Sequence, residues 1–126
     1  MSDLIRSLAT SASGMQAQSG RLRHVSENIA NADTPGYRRK TVEFRDVMGG
    51  AQVALGPVRL DRSALERIYD PGHPLADETG HHDGTNVDLV LELADAREAQ
   101  RSYEANLRMF DQARQMTQGL FELLRR

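Results

Sequence analysis

Ser26-Glu-Asn-Ile-Ala-Asn-Ala-Asp-Thr-Pro-Gly-Tyr37 decides the fold, because a helical pattern runs into it and turn chemistry comes out. Asn28 and Asn31 lie three residues apart beside Ala30 and Ala32, so their amides sit where helices can approach closely. Two roles are open to these amides. They bridge subunits, or Asn31 or Asp33 satisfies the helix C-terminus and the turn. Downstream, Thr34-Pro35-Gly36-Tyr37 suits a turn with Gly36 at the position that needs positive φ, which fixes the direction in which Tyr37 leaves.

Upstream, Ile5, Leu8, Ala12, Met15, Ser19, Leu22 and Ile29 recur at alternating three- and four-residue steps, with Ser26 filling the missing step. That spacing predicts an N-terminal helix over 1–34 with a coiled-coil-like seam. Ser11, Ser13, Gly14, Ser19 and Gly20 lower its intrinsic propensity, each Gly by roughly 1 kcal/mol against Ala. Such a helix is marginal by itself.

Downstream, Leu93, Ala96, Ala99, Tyr103, Leu107, Phe110, Ala113, Thr117, Leu120 and Leu124 predict a second helix over 88–126, about 55 Å long at about 1.5 Å per residue. Asp88, Glu92, Asp95 and Glu98 crowd its start and Arg125 and Arg126 its end, which complements the helix dipole. Glu104 and Arg108 are spaced as an i,i+4 pair. Between the helices, residues 35–86 carry Pro-Gly and Gly-Gly punctuation. Short strands are expected around Val42 and Phe44, Val58 and Leu60, and Leu65 to Tyr69, with Gly49 to Gly56 disordered. The fold class is mainly α: two terminal helices paired as a coiled-coil-like hairpin, with a small irregular or β excursion between them. Neither helix has enough partner surface alone, so folding is expected to be coupled to assembly.

Composition narrows the function. Of 126 residues 39% are hydrophobic, with three Phe, three Tyr and no Trp, which argues against a large independent core. Eighteen acidic and sixteen basic side chains create no bulk field towards nucleic acid or anionic membrane. The absence of Cys excludes disulfide and thiolate chemistry. Met1-Ser-Asp-Leu-Ile-Arg-Ser-Leu8 lacks the apolar run of a cleavable signal peptide, and no stretch approaches the ~20 apolar residues of a membrane span. Arg38-Arg39-Lys40 with Arg45 is diluted by Glu43 and Asp46, so a solvated strand face or salt bridges to a neighbouring subunit is preferred over phosphate binding. His81-His82-Asp83, with His73, has poor ligand spacing, and no metal or cofactor is expected. No nucleophile elbow, phosphate loop or His-Glu-x-x-His occurs, so the chain is read as a non-enzyme.

The Asn28-Ile-Ala-Asn-Ala core with Thr34-Pro-Gly-Tyr37 resembles the signature of the bacterial flagellar rod and hook axial family. Tyr69-Asp-Pro-Gly-His-Pro-Leu-Ala-Asp77, Asn86-Val-Asp88 and Ala99-Gln-Arg-Ser-Tyr-Glu-Ala-Asn-Leu107 are similar to one proximal-rod subfamily. The turn after Asn31 is shorter than is usual there and resembles a sister rod subfamily, the runner-up within the family. His81-His82-Asp83-Gly84 replaces a more usual Tyr-Val-x-x-Pro.

The resemblance implies a structural subunit of the basal-body rod, exported without a cleavable signal peptide through the flagellar type III apparatus and assembled in the periplasm to transmit torque. Its implied partners are copies of itself, other rod proteins, membrane-ring or rod-junction proteins and the export apparatus, with no nucleic acid and no direct membrane insertion. Leu8, Met15, Leu22 and Ile29 on the first helix and Tyr103, Leu107 and Phe110 on the second are the candidate packing residues. Asn28, Asn31, Thr34, Pro35, Gly36, Tyr37, Tyr69, Pro71 and Gly72 are the motif and turn residues. Two other classes are a helical-hairpin adaptor that does not polymerise and a metal-dependent enzyme built on His73, His81 and His82.

Overall fold

In the computed structural model, which describes residues 2–125, two helices dominate: α1, Ser2–Ala30, and α2, Leu89–Arg125. Met1 and Arg126, assigned to these helices on sequence grounds, lie outside the described residues. The helices pack antiparallel, since Asn28 meets Glu92, Arg21 meets Asp95 and Glu98, and Gly14 lies against Asn106. α1 stops four residues before the expected boundary because 31–36 turn away. α2 starts where Asp88 caps it, its Oδ1 accepting from the backbone N–H of Val90 at 3.0 Å.

The buried stripe of α1 is Ser11, Gly14, Ala17, His24, Val25 and Asn28, and that of α2 is Glu92, Ala99 and Ala113. This corrects the expected seam. Leu8, Met15, Leu22 and Ile29 are only half-buried, and Ile5, Ala12, Ser19 and Ser26 are exposed. Met15, Leu22 and Ile29 each follow by one residue a position at the helix contact, Gly14, Arg21 and Asn28, so they stand on its shoulder. The reason is distance: a Cβ on Gly14 would lie 2.7 Å from Asn106 Oδ1, so the centre of the contact has no room for a large side chain. On α2, Tyr103 and Phe110 are half-buried, whereas Leu107 is 40% exposed. Glu104 and Arg108 do not reach ion-pair distance; Asp111 and Arg114 do, at 3.4 Å.

The excursion consists of three two-stranded antiparallel ladders. β1, Lys40–Thr41, pairs with β4, Arg59–Leu60; β2, Phe44–Val47, pairs with β3, Gln52–Leu55; β5, Arg67–Tyr69, pairs with β6, His81–Asp83. β3 lies inside the stretch expected to be disordered. Its order comes from α1, which the sequence did not reveal as its support. Thr10 Oγ1 donates to the Ala51 carbonyl at 2.6 Å, and the Val53 N–H donates to Ser13 Oγ at 3.2 Å. Leu55 Cδ1 occupies the space that a Cβ on Gly20 would need, 2.5 Å away. β6 was also unforeseen, since His-His-Asp carries no apolar alternation. No described helix is long and apolar enough to cross a membrane.

Candidate functional site

Asn28 is the centre of the molecule's polar core, 1% exposed. Its Nδ2 donates to the Lys40 carbonyl at 3.0 Å and to Glu92 Oε2 at 3.3 Å. Its Oδ1 accepts from the Lys40 N–H and the Tyr37 hydroxyl, both at 2.8 Å. An amide has two donors and two acceptor lone pairs, so Asn28 is saturated within its own chain. Its role in this structure is thus within the chain, between α1, the Tyr37–Lys40 segment and α2. Asn31 takes the local role: its Nδ2 donates to the Glu27 carbonyl at 2.8 Å and its Oδ1 accepts from Thr34 Oγ1 at 3.1 Å. It closes the end of α1.

The turn follows its predicted form. Gly36 has φ +78, and the Tyr37 N–H returns to the Thr34 carbonyl at 3.1 Å. Pro35 is exposed at its apex. The Gly36 N–H then donates to the Gly84 carbonyl at 3.0 Å, and Thr85 Oγ1 donates to the Ala32 carbonyl at 2.8 Å. These bonds bring the first motif to the entry of α2.

Glu92, fully buried, holds the other side. Arg39 Nε donates to its Oε1 at 2.7 Å, and Arg39 Nη1 reaches Asp61 Oδ2 at 3.4 Å. Burial works against the Arg39 charge, but its hydrogen bonds and charge contacts with Glu92 and Asp61 outweigh this and raise its pKa. Lys40 Nζ pairs with Glu27 Oε2 at 2.7 Å, a hydrogen bond that lowers the Glu27 pKa and raises that of Lys40. Burial raises the pKa of the Tyr37 hydroxyl. Arg38 Nη1 donates to the Asp61 and Ser63 carbonyls at 3.2 and 2.9 Å. Arg38, Arg39 and Lys40 are thus engaged inside the chain, whereas Arg45, the fourth member of the basic group, is exposed. Asn86 Oδ1 accepts from the Arg39 N–H at 2.7 Å and its Nδ2 donates to the Asp61 carbonyl at 3.0 Å, so the Asn86-Val-Asp88 block belongs to the same lock.

Tyr69 to Asp83 forms a second polar knot. Asp77 Oδ1 accepts from the Thr79 N–H and hydroxyl at 2.9 and 2.6 Å and from the His81 N–H at 3.1 Å. Its Oδ2 accepts from Arg67 at 2.6 Å. The Thr79 hydroxyl and these neighbours hold its carboxyl well below the usual carboxylate range. Tyr69 and Pro71 lie over Gly80, whose φ is +81, at distances a Cβ there would violate; Gly72 is an ordinary turn residue. The rings of His73 and His82 stack face to face, 3.9 Å apart and 8° from parallel, and His81 packs against Tyr69. Stacked faces do not converge ring nitrogens on a common point. Among the described residues no group of three or more His, Cys, Asp or Glu is placed to hold a metal.

The sequence reading missed Glu92, Arg39 and Asp61 as a site. Glu92 had counted only as one of four acids at a helix start. Its signal was its place on the apolar stripe with Ala96 and Ala99, where a solvated acid does not belong.

Two family models match the chain: one described as flagella basal body rod protein over residues 8–38, the other as flagellar basal body rod FlgEFG protein C-terminal over residues 78–123. The flagellar basal-body rod protein FlgC of Agrobacterium fabrum is 46% identical over 124 residues, covering 90% of this chain and 89% of that protein. This chain belongs to the FlgC family of flagellar basal-body rod proteins. FlgC of Aquifex aeolicus is 35% identical over 132 residues, with 97% and 98% covered, and FlgC of Salmonella typhimurium is 35% identical over 116 residues, with 82% and 85% covered. Membership of the FlgC family makes the chain a structural rod subunit and, at the level of the family, not an enzyme. It also decides against the sister subfamily suggested by the short turn. In this FlgC-family chain Asn28 falls in one matched segment and Glu92 in the other, so the lock joins the two.

Proposed function

We propose that this rod subunit is a prefastened helix pair, closed at one end by the Asn28–Glu92 lock, whose remaining faces pack against neighbours in the periplasmic proximal rod. The observation that carries this is the apolar exposure along the whole of α2. The lock ties down only the Glu92 side of its first turns, while Leu89, Val90, Leu91 and Leu93 there, and Leu107, Met109, Met116, Leu120, Phe121, Leu123 and Leu124 further along, remain substantially exposed. Apolar exposure on this scale marks an interaction surface.

In this reading the two helices act as a coiled-coil-like hairpin in the rod wall. Leu8, Met15, Leu22 and Ile29, on the shoulder of the pair, meet helices of other subunits together with Tyr103, Leu107 and Phe110. Copies of the chain and other rod proteins are the partners, reached after export through the type III apparatus, and many parallel contacts carry torque. A non-polymerising adaptor would bury the same face in a closed one-to-one complex.

The test is deletion of the coding region, complemented with the intact chain and with a chain lacking residues 1–29. Restoration of rods and swimming by the intact chain alone supports the reading. Normal swimming of the deleted cells overturns it.

A further inference from the structure

The side of α2 turned away from α1 carries an uncovered stripe over its first turns. Val90, Ala94, Arg97 and Arg101 recur at steps of four, three and four residues, opposite the buried Glu92 and Ala99, and all are exposed, Val90 by 75%. Leu93 widens the stripe and is 53% exposed. Glu98, the acid of this shallow groove, is taken by Arg21 at 3.3 Å, whereas among the described residues neither Arg97 nor Arg101 has an ion-pair partner. At Val90 the stripe runs into a second groove, where α2 begins, lined by Leu65, Val87 and Leu89 and by Asp33, Glu66 and Asp88. No basic side chain lines it, and among the described residues none of its three acids is in an ion pair.

We propose that a second copy of this chain covers both grooves at once, in a closed two-fold pair whose α2 helices run antiparallel. Two oppositely charged patches that adjoin on one surface are self-complementary under a two-fold rotation, because each then meets the other twice. The spacing sets the register. With the midpoint between Leu93 and Ala94, Val90 of one copy lies opposite Arg97 of the partner subunit, and Arg101 lies opposite Asn86 of the partner subunit, at the acidic groove. Leu93 and Ala94 supply the apolar centre and the arginines the charged flanks. A parallel pairing would set Arg97 on Arg97 and leave both acidic grooves without a cation. The pair goes beyond the rod-subunit reading. An isologous contact closes on itself, so the paired chain does not propagate through this face and has to separate before the same face of α2 meets other rod helices. It is a holding form of the free subunit.

Charge reversal and a single cysteine test the pairing on the purified full chain, sized by light scattering. The expected particle has twice the chain mass. Arg101→Glu is expected to raise the dimer dissociation constant by about tenfold or more, since the two-fold counts each substitution twice, and adding Glu66→Arg is expected to recover it. Ala94→Cys, in a chain otherwise free of Cys, is expected to form a disulfide between identical positions of two copies on oxidation, as a contact at a two-fold axis requires. A monomer at every concentration, a ladder of larger species, a dimer indifferent to Arg101→Glu, a double variant no better than Arg101→Glu, or a dimer whose Ala94→Cys variant does not cross-link overturns the pairing. If circular dichroism shows that Arg101→Glu does not fold, the Ala94→Cys result decides alone. None of these outcomes touches the rod-subunit reading, which stands or falls on whether cells deleted for the chain swim.

Discussion

At the residue scale, the signature is a hydrogen-bond account that balances. Asn28 meets four partners with four hydrogen-bonding positions, and its loss leaves the Lys40 N–H and Glu92 with unmet polar atoms. Asn28→Ala is therefore expected to lower stability by about 2–4 kcal/mol, read as a drop in the thermal midpoint of the purified chain. Arg39→Ala leaves a fully buried carboxylate without its cation and is expected to cost about 3 kcal/mol, with partial recovery on adding Glu92→Gln. Equal destabilisation by Arg39→Ala with and without Glu92→Gln would show that the ion pair is not what Arg39 supplies. Asp77 makes a prediction about acid. Its pKa in the folded chain is below the ordinary 3.8, so its stabilisation is complete above that value and is lost as pH falls through the folded pKa. Wild type should exceed Asp77→Asn in thermal midpoint at neutral pH, and the gap should close only below about the ordinary carboxylate range. A gap that does not change with pH would rule out the charge as its origin.

At the scale of elements, the helix contact works by smallness. Ser11, Gly14 and Ala17 let α1 approach Ala99, Asn106 and Ala113, at the expense of helix propensity in α1. Gly14→Val is expected to push the helices apart and destabilise the pair by about 1–3 kcal/mol, despite valine's better helix propensity. Circular dichroism with thermal unfolding checks this, and a more stable variant would contradict the close approach. The β2–β3 hairpin shows the same dependence in reverse. Its strands are exposed on their outer side, and its order derives from Thr10, Ser13 and the notch at Gly20.

At the scale of the molecule, a small core and a long exposed stripe belong together. Buried hydrophobic side chains among the described residues are Ala17, Val25, Ala99 and Ala113, far too little to cover α2, so its outer face is left for other chains. Leu107→Asp separates the two roles because Leu107 is exposed in the isolated fold. The variant should accumulate and fold normally yet build no rod and give no swimming. Swimming at the wild-type level would remove Leu107 from the packing surface.

The sequence by itself determined both helices, the Thr34–Tyr37 turn with its positive-φ glycine, and the family, because these rest on local periodicity, fixed backbone preferences and contiguous motifs. Only the tertiary structure decided which face of α1 is buried, that Arg38, Arg39 and Lys40 are satisfied internally, and that Glu92 anchors the lock. Those depend on what stands opposite each side chain. Periodicity ranks faces by hydrophobicity, whereas close approach of backbones selects the face with the smallest side chains. The apolar stripe marks Glu92 as out of place, but the guanidinium that answers it, 53 residues away in the chain, is seen only in the fold.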